Sequence, residues 1–188
     1  MDNACKNIEI DELYWFVFHR SRKETRENVY LIIAVSRNPR QIVGFDVASD
    51  KSPERIQRIV DSAPNAENYC TDGYLGYIDV VYPGKHIRNI SNKNDTFTVE
   101  GVNADLRHYI PVLARRSRCF AKKIETLYKV LDVFVEAYNK FGMAKYNHRL
   151  KRTQTKKGGF SFGLSTLLLI SAFSRSCQKI IVDNSEIL

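Results

Sequence analysis

Residues 8–18, Ile-Glu-Ile-Asp-Glu-Leu-Tyr-Trp-Phe-Val-Phe, are the stretch on which the fold turns. The run is β-branched and aromatic and contains no Gly or Pro, the composition of a strand buried on both faces and therefore central in its sheet. Working outward, residues 28–36 (NVYLIIAVS) and 41–48 (QIVGFDVA) read as two further strands separated by the turn-like Arg37-Asn38-Pro39-Arg40, so the three form an antiparallel meander. A helix follows: Ser52 supplies an N-cap, Pro53 the first helical position, and Ile56, Ile59 and Val60 repeat at helical spacing until Pro64 stops it. Residues 67–71 make a short strand ending at Asp72-Gly73, and residues 85–90 make another after Pro83-Gly84.

Beyond residue 98 the period changes. Val102, Leu106, Tyr109, Ile110 and Leu113, then Ile124, Leu127, Leu131, Phe134 and Tyr138, recur at steps of three and four, which predicts two long amphipathic helices, the first bent at Pro111. Residues 145–157 (KYNHRLKRTQTKK) hold six Lys/Arg and no acid ahead of Gly158-Gly159, and read as an exposed linker to a short C-terminal helix. The element order β-β-β-α-β, short helix, β, then helices is that of a ribonuclease-H-like α/β fold, in which a three-stranded meander is extended by parallel strands reached through helices. The expected organisation is a catalytic domain over residues 1–149 and a basic extension over residues 150–188.

Composition agrees with one real core. Of 188 residues, 44% are hydrophobic and 27% charged, too apolar for a disordered polyelectrolyte. The net charge of +8 is unevenly placed: residues 1–100 hold 13 Lys/Arg and 15 Asp/Glu, residues 101–188 hold 16 and 6. Such an asymmetry points to a polyanionic partner, most simply nucleic acid. The longest apolar stretch, residues 160–173, has 14 positions and is broken by serines and a glycine, short of the roughly 20 needed to span a bilayer. No secretory signal opens the chain. Cys5, Cys70, Cys119 and Cys177 form no CxxC pair and no zinc spacing with the four histidines, as expected for reduced cytosolic thiols.

Three acids bear on chemistry. Asp11 lies inside the most apolar strand, where a charge needs a partner or a metal to offset its desolvation. Asp72 sits in an Asp-Gly turn dipeptide, and Glu100 opens a helix, where acid is favoured by the helix dipole alone. Each has a plain structural explanation taken singly: an ion pair or strand end, a turn, a cap. Topology joins them, because in this fold the first and fourth strands lie side by side and the late helix packs across their ends. Such a cluster holds two divalent cations for phosphodiester displacement, and its hard oxygens suit Mg2+ or Mn2+. Asn103 and Arg107, three and seven residues after Glu100, share its helical face, a pattern that equally suits a solvated capping and ion-pair stripe.

The run Glu9-Ile10-Asp11-Glu12-Leu13-Tyr14-Trp15, then Cys70-Thr71-Asp72-Gly73-Tyr74, Lys85-His86-Ile87, and residues 96–107 (TFTVEGVNADLR) closely resembles the catalytic region of transposases of the IS1 insertion-sequence family. The likeness is collinear, continues through residues 113–122, and covers roughly residues 8–149. The resemblance implies a DDE transposase that cleaves DNA and transfers strands, with metal-binding acids at Asp11, Asp72 and Glu100 and with Asn103 and Arg107 near the metal or the scissile phosphate. Glu9 and Glu12 are neighbouring acids, and the motif favours Asp11. DNA contacts are expected from Arg115, Arg116, Arg118, Lys122, Lys123, Lys145, Arg149, Lys151, Arg152, Lys156 and Lys157. Implied partners are transposon ends, target DNA and further copies of the chain in a homo-oligomer, in the cytoplasm and on the nucleoid when DNA is bound.

Family members carry a zinc-finger and helix-turn-helix region ahead of the catalytic domain, whereas Met1 lies ten residues before Asp11 here. The expectation is a catalytic core whose end-reading part would be a separately encoded protein of the same element. Two competing functions remain open at this level: a non-catalytic DNA-binding fragment that inhibits full-length transposase, and a structure-selective nuclease of the same fold. A third, a basic peripheral membrane protein, would act through residues 160–173.

Overall fold

The computed structural model describes residues 5–18, 26–89, 95–114 and 120–155. Among them are β1 Cys5–Phe18, β2 Arg26–Ser36, β3 Gln41–Ala48, α1 Pro53–Ser62, β4 Ala66–Thr71, β5 Lys85–Arg88, α2 Phe97–Tyr109 and α3 Ile124–Thr155, with short 3-10 turns at Leu75–Tyr77 and Pro111–Leu113. The sheet order is β3-β2-β1-β4-β5. β1, β2 and β3 pair antiparallel, whereas β4 pairs parallel with both β1 and β5. The strand expected to be central is central, and the fold is the ribonuclease-H-like α/β arrangement, with α1 carrying the chain from β3 across to β4.

Alternation along β1 sorts its side chains between two layers. Ile8 and Ile10 enter a core with Ile32, Ala34, Ile56, Ile59, Tyr69 and Tyr77, beneath α1. The helix lies close: a Cβ on Gly44 of β3 would stand 2.9 Å from Cγ2 of Ile59. Glu9, Asp11 and Leu13 point the other way, level with Val35, Ile33 and Leu31 of β2. On that face α2 packs over β1 and β2, burying Val99, Val102 and Leu106 completely. Each fully buried aliphatic side chain stabilises the fold by about 1.5–3 kcal/mol.

One charged group belongs to this second layer. Glu9 is 0% exposed. Its Oε2 accepts hydrogen bonds from the backbone N–H groups of Thr98 (2.7 Å) and Val99 (2.8 Å), and its Oε1 accepts from Nε of Arg37 at 2.7 Å. Thr96, the N-cap residue, makes no side-chain cap. The helix is thus capped by a carboxylate from a strand rather than by its own N-terminal residues, with negative charge at the positive end of the helix dipole. Arg37 is held in turn by donating to the Asp95 carbonyl (3.0 Å) and lying 4.9 Å from the centre of the Phe97 ring.

Two expectations need correction. Pro111 does not bend a continuous helix: α2 ends at Tyr109, Ile110 is extended (φ −101°, ψ 105°), and Pro111–Leu113 is a separate 3-10 turn. Proline has no N–H to donate and disfavours helical dihedrals in the residue before it, so the chain breaks there. Nor is the basic run a linker over its described part, since α3 continues to Thr155. Residues 145–155 contain no Gly or Pro and are rich in good helix formers, so the end of the apolar repeat near Asn139 is not the end of the helix. The helix expected after Gly159 lies outside the described residues. The described residues part into two compact units between Lys129 and Val130. In the second, Val130, Leu131 and Phe134 are buried and Phe134 stacks on Tyr138 at 5.6 Å. Among the described residues no helix is long and apolar enough to cross a membrane.

Glu9→Ala is expected to lower unfolding free energy by about 3–5 kcal/mol, because it strands a charged partner and uncaps α2. Urea unfolding followed by circular dichroism measures this, and a loss under about 1 kcal/mol would show that α2 is held by its apolar face alone.

Candidate metal centre

β1 and β4 run side by side only as far as the Ile10–Thr71 pair. The next residue on each strand is an aspartate, Asp11 and Asp72. They stand at the carboxyl ends of two paired parallel segments, the place where open α/β sheets present side chains to ligands. Oxygens of Asp11, Glu12 and Asp72 all lie within 4.8 Å of one another.

Asp11 is tied to α2. Nδ2 of Asn103 donates to Oδ2 of Asp11 at 2.8 Å, and Asn103, 7% exposed, leaves its Oδ1 buried without a hydrogen bond. Burial pushes the Asp11 carboxyl above the usual carboxylate range, and the nearby charges of Asp72 and Glu100 push the same way. Glu100 occupies the first turn of α2, one turn before Asn103, with its side chain exposed. It acts on Asp11 through charge and is outside the converging trio. Arg107, one turn beyond Asn103, is half-buried on the same helix. The structure therefore brings Asp11, Asp72 and Asn103 together and sets Glu100 beside them.

The site also contains a group the sequence pattern did not favour. Glu12 has a side chain only 6% exposed, and its Oε2 lies 3.6 Å from Nζ of Lys51. Burial raises its pKa as well, against the opposing charge of Lys51. The fully buried Tyr77 hydroxyl lies against this carboxylate without hydrogen-bond geometry, and burial with that negative charge holds the phenol well above its ordinary pKa. Its one sequence signal is a second acid directly after Asp11 in an otherwise apolar strand.

The Asp72 segment is braced from both sides. Oδ1 of Asp72 accepts from the backbone N–H of Tyr74 at 2.9 Å, closing an Asx turn, and Nη2 of Arg88 donates to the Gly73 carbonyl. Asn89 N–H donates to the Thr71 carbonyl at 2.9 Å, and Oγ1 of Thr71 bonds Nε2 of His86 at 2.9 Å. Burial and the Arg88 charge lower the His86 pKa, which keeps the ring neutral over a wider range.

An all-oxygen donor set, two buried oxygens without hydrogen bonds and carboxyls that resist ionisation together fit a hard divalent cation, whose charge would offset all three. Among the expected DNA contacts, Lys122 and Lys123 are exposed just before α3. Lys145, Arg149, Lys151 and Arg152 lie along α3, and Arg115, Arg116, Arg118, Lys156 and Lys157 lie outside the described residues. Cys5 and Cys70 are free thiols, Cys5 bonded to Ser36 at 2.7 Å. One family model, described as IS1 transposase, matches residues 4–141, well over half of the chain. No curated protein matches it.

The raised carboxyls have a measurable consequence. Asp11 and Glu12 hold protons more tightly folded than unfolded, so metal-free stability falls as pH rises from their ordinary values of 3.8 and 4.5 through their raised folded values. Asp11→Asn removes one such penalty: in chelator it should melt higher than the parent at pH 7, with the difference closing near pH 3. An equal melting temperature at pH 7 would show that the cluster carries no electrostatic penalty.

Proposed function

The chain belongs to the IS1 transposase family, and from that premise we propose that it cleaves DNA at the ends of a mobile element and joins them to target DNA, with Asp11, Asp72 and Glu100 as the metal-binding acids. The observation that carries this is the hydrogen bond from Asn103 to Asp11. It brings α2, which bears Glu100, over the fork where β1 and β4 present the two aspartates. The family implies use of divalent metal and action on DNA.

Two divalent ions, Mg2+ or Mn2+, when bound at such a cluster supply activation of the attacking oxygen and stabilisation of the leaving one. The chain's own residues do the rest. Asp11 and Asp72 would hold ligand oxygens at fixed positions because each stands one residue beyond the last β1–β4 pair, and Glu100 would complete the set from α2. Asn103 fixes the orientation of Asp11, and Arg107, on the same stripe of α2, offers a fork to a phosphate. Water attacks the phosphodiester at the element's end, the P–O3′ bond on the far side breaks in line, and a 3′-hydroxyl is left. That hydroxyl attacks a target phosphodiester in a second displacement of the same kind, the proton passing to solvent and the target's 3′-oxygen leaving. Neither step requires a His base or Cys nucleophile.

Backbone contacts fall to the basic residues from Arg107 through Lys157, which give salt-sensitive affinity largely independent of sequence. Joining two ends calls for at least two copies of the chain.

Strand cleavage and joining in Mg2+ or Mn2+ test the assignment. Asp11→Ala, Asp72→Ala and Glu100→Ala should each lower the rate at least about a hundredfold, the size of several kcal/mol of lost charge stabilisation, with DNA affinity retained. Unaltered turnover in any one removes that residue from the set. A pre-cut end should be joined to target; cutting of branched DNA without joining would mark a nuclease instead. Lys123→Ala should weaken binding evenly across sequences and reduce the salt slope by about one, and an unchanged slope would place this lysine off the DNA path.

A further inference from the structure

Glu12 lies outside the acid set assigned above, and its surroundings contrast with those of Glu9 three residues earlier. Glu9 is satisfied on both oxygens by three donors. Glu12 is almost as deeply buried, yet its Oε1 makes no hydrogen bond of good geometry, the Tyr77 hydroxyl beside the carboxylate is itself left without one, and its Oε2 meets Nζ of Lys51 at 3.6 Å, longer than a hydrogen bond. The large majority of buried side-chain polar atoms in folded proteins are hydrogen-bonded, so a carboxylate whose neighbouring donors are this poorly placed has room for a better partner.

Three observations identify that partner. An oxygen of Glu12 lies within 4.8 Å of oxygens of both Asp11 and Asp72. Oxygens bound to one magnesium ion stand roughly 2.9 to 4.2 Å apart, so the three lie within reach of a single ion once their side chains draw inward. On the α2 side of Asp11, Oδ1 of Asn103 is a second buried acceptor without a hydrogen bond. Lys51, meanwhile, is placed to withdraw. Its side chain is 29% exposed, it follows β3 in a loop, and its ammonium also lies 3.7 Å from the centre of the Tyr74 ring, a contact that does not involve Glu12.

We propose that Glu12 is a further ligand of a hard divalent cation bound with Asp11 and Asp72, and that Lys51 is the counter-charge that holds Glu12 until the ion arrives. This rests on Asp11 and Asp72 being metal ligands. Lys51 is then a positioning residue: it acts through Glu12 and touches no reacting atom.

Mn2+ titration of the full chain without DNA, read by the paramagnetic resonance of the free ion, separates the possibilities. The parent should bind Mn2+, Asp11→Asn should weaken binding at least about tenfold, and Glu12→Gln should do the same. Melting in chelator is the control, with Glu12→Gln no less stable than the parent because it removes a poorly satisfied buried charge. Affinity within about twofold of the parent in Glu12→Gln, with Asp11→Asn weakened, overturns the role of Glu12 and leaves the aspartates in place. No binding by the parent, or full affinity in Asp11→Asn, brings down both. Should Glu12→Gln fail to fold, Lys51→Met decides: freeing Glu12 should tighten Mn2+ binding, and unchanged affinity overturns the proposal.

Discussion

The buried carboxylate of Glu9 is the constraint on which the arrangement rests. Taking an ion out of water costs several kcal/mol, and that cost is offset here by Arg37 and two amides at the start of α2. Its farthest donor, Val99, lies 90 residues along the chain, so the group cannot be satisfied until sheet and helix have both formed and docked. Apolar burial of Val99, Val102 and Leu106 supplies most of the attraction between the layers but is tolerant of sliding. The carboxylate is not. It sets where along β1 the helix begins, and one turn later Asn103 falls on Asp11.

Much of this was legible in the chain. Residues 8–18 declare a central strand through composition alone, and the meander, α1 and the parallel pair follow from turn residues and prolines close to where they are found. Asp11 and Asp72 were legible together because the topology sets their strands side by side, whereas Glu100, expected as the third acid, stands exposed one turn before Asn103 and outside the group of oxygens within 4.8 Å. What local pattern could not supply was the division of labour among Glu9, Asp11 and Glu12. The three are chemically alike and lie within four residues, and they differ only in partners drawn from residues 37, 51, 72 and 98–103. The extent of α3 was missed for a different reason: apolar periodicity reports the buried length of a helix, and the backbone continues past it wherever no residue breaks it.

The site is held together against its own electrostatics. Asp11 and Glu12 both resist ionisation, and Lys51 stands 3.6 Å from Glu12 as a counter-charge. The sheet that carries these groups is packed on both faces, by α1 over one core and by α2 over the other.

The alternation of β1 has a consequence for how such a site can change. Side chains of a strand have only two directions, so position along it is binary. A slip of one residue would carry Glu9 and Asp11 away from α2 and put Ile8, Ile10 and Glu12 in their place: an apolar pair where the helix needs an acceptor, and a longer acid where Asn103 needs a short one. Within an unbroken β1, the carboxylate that caps α2 and the one that Asn103 holds therefore share a face in one register only.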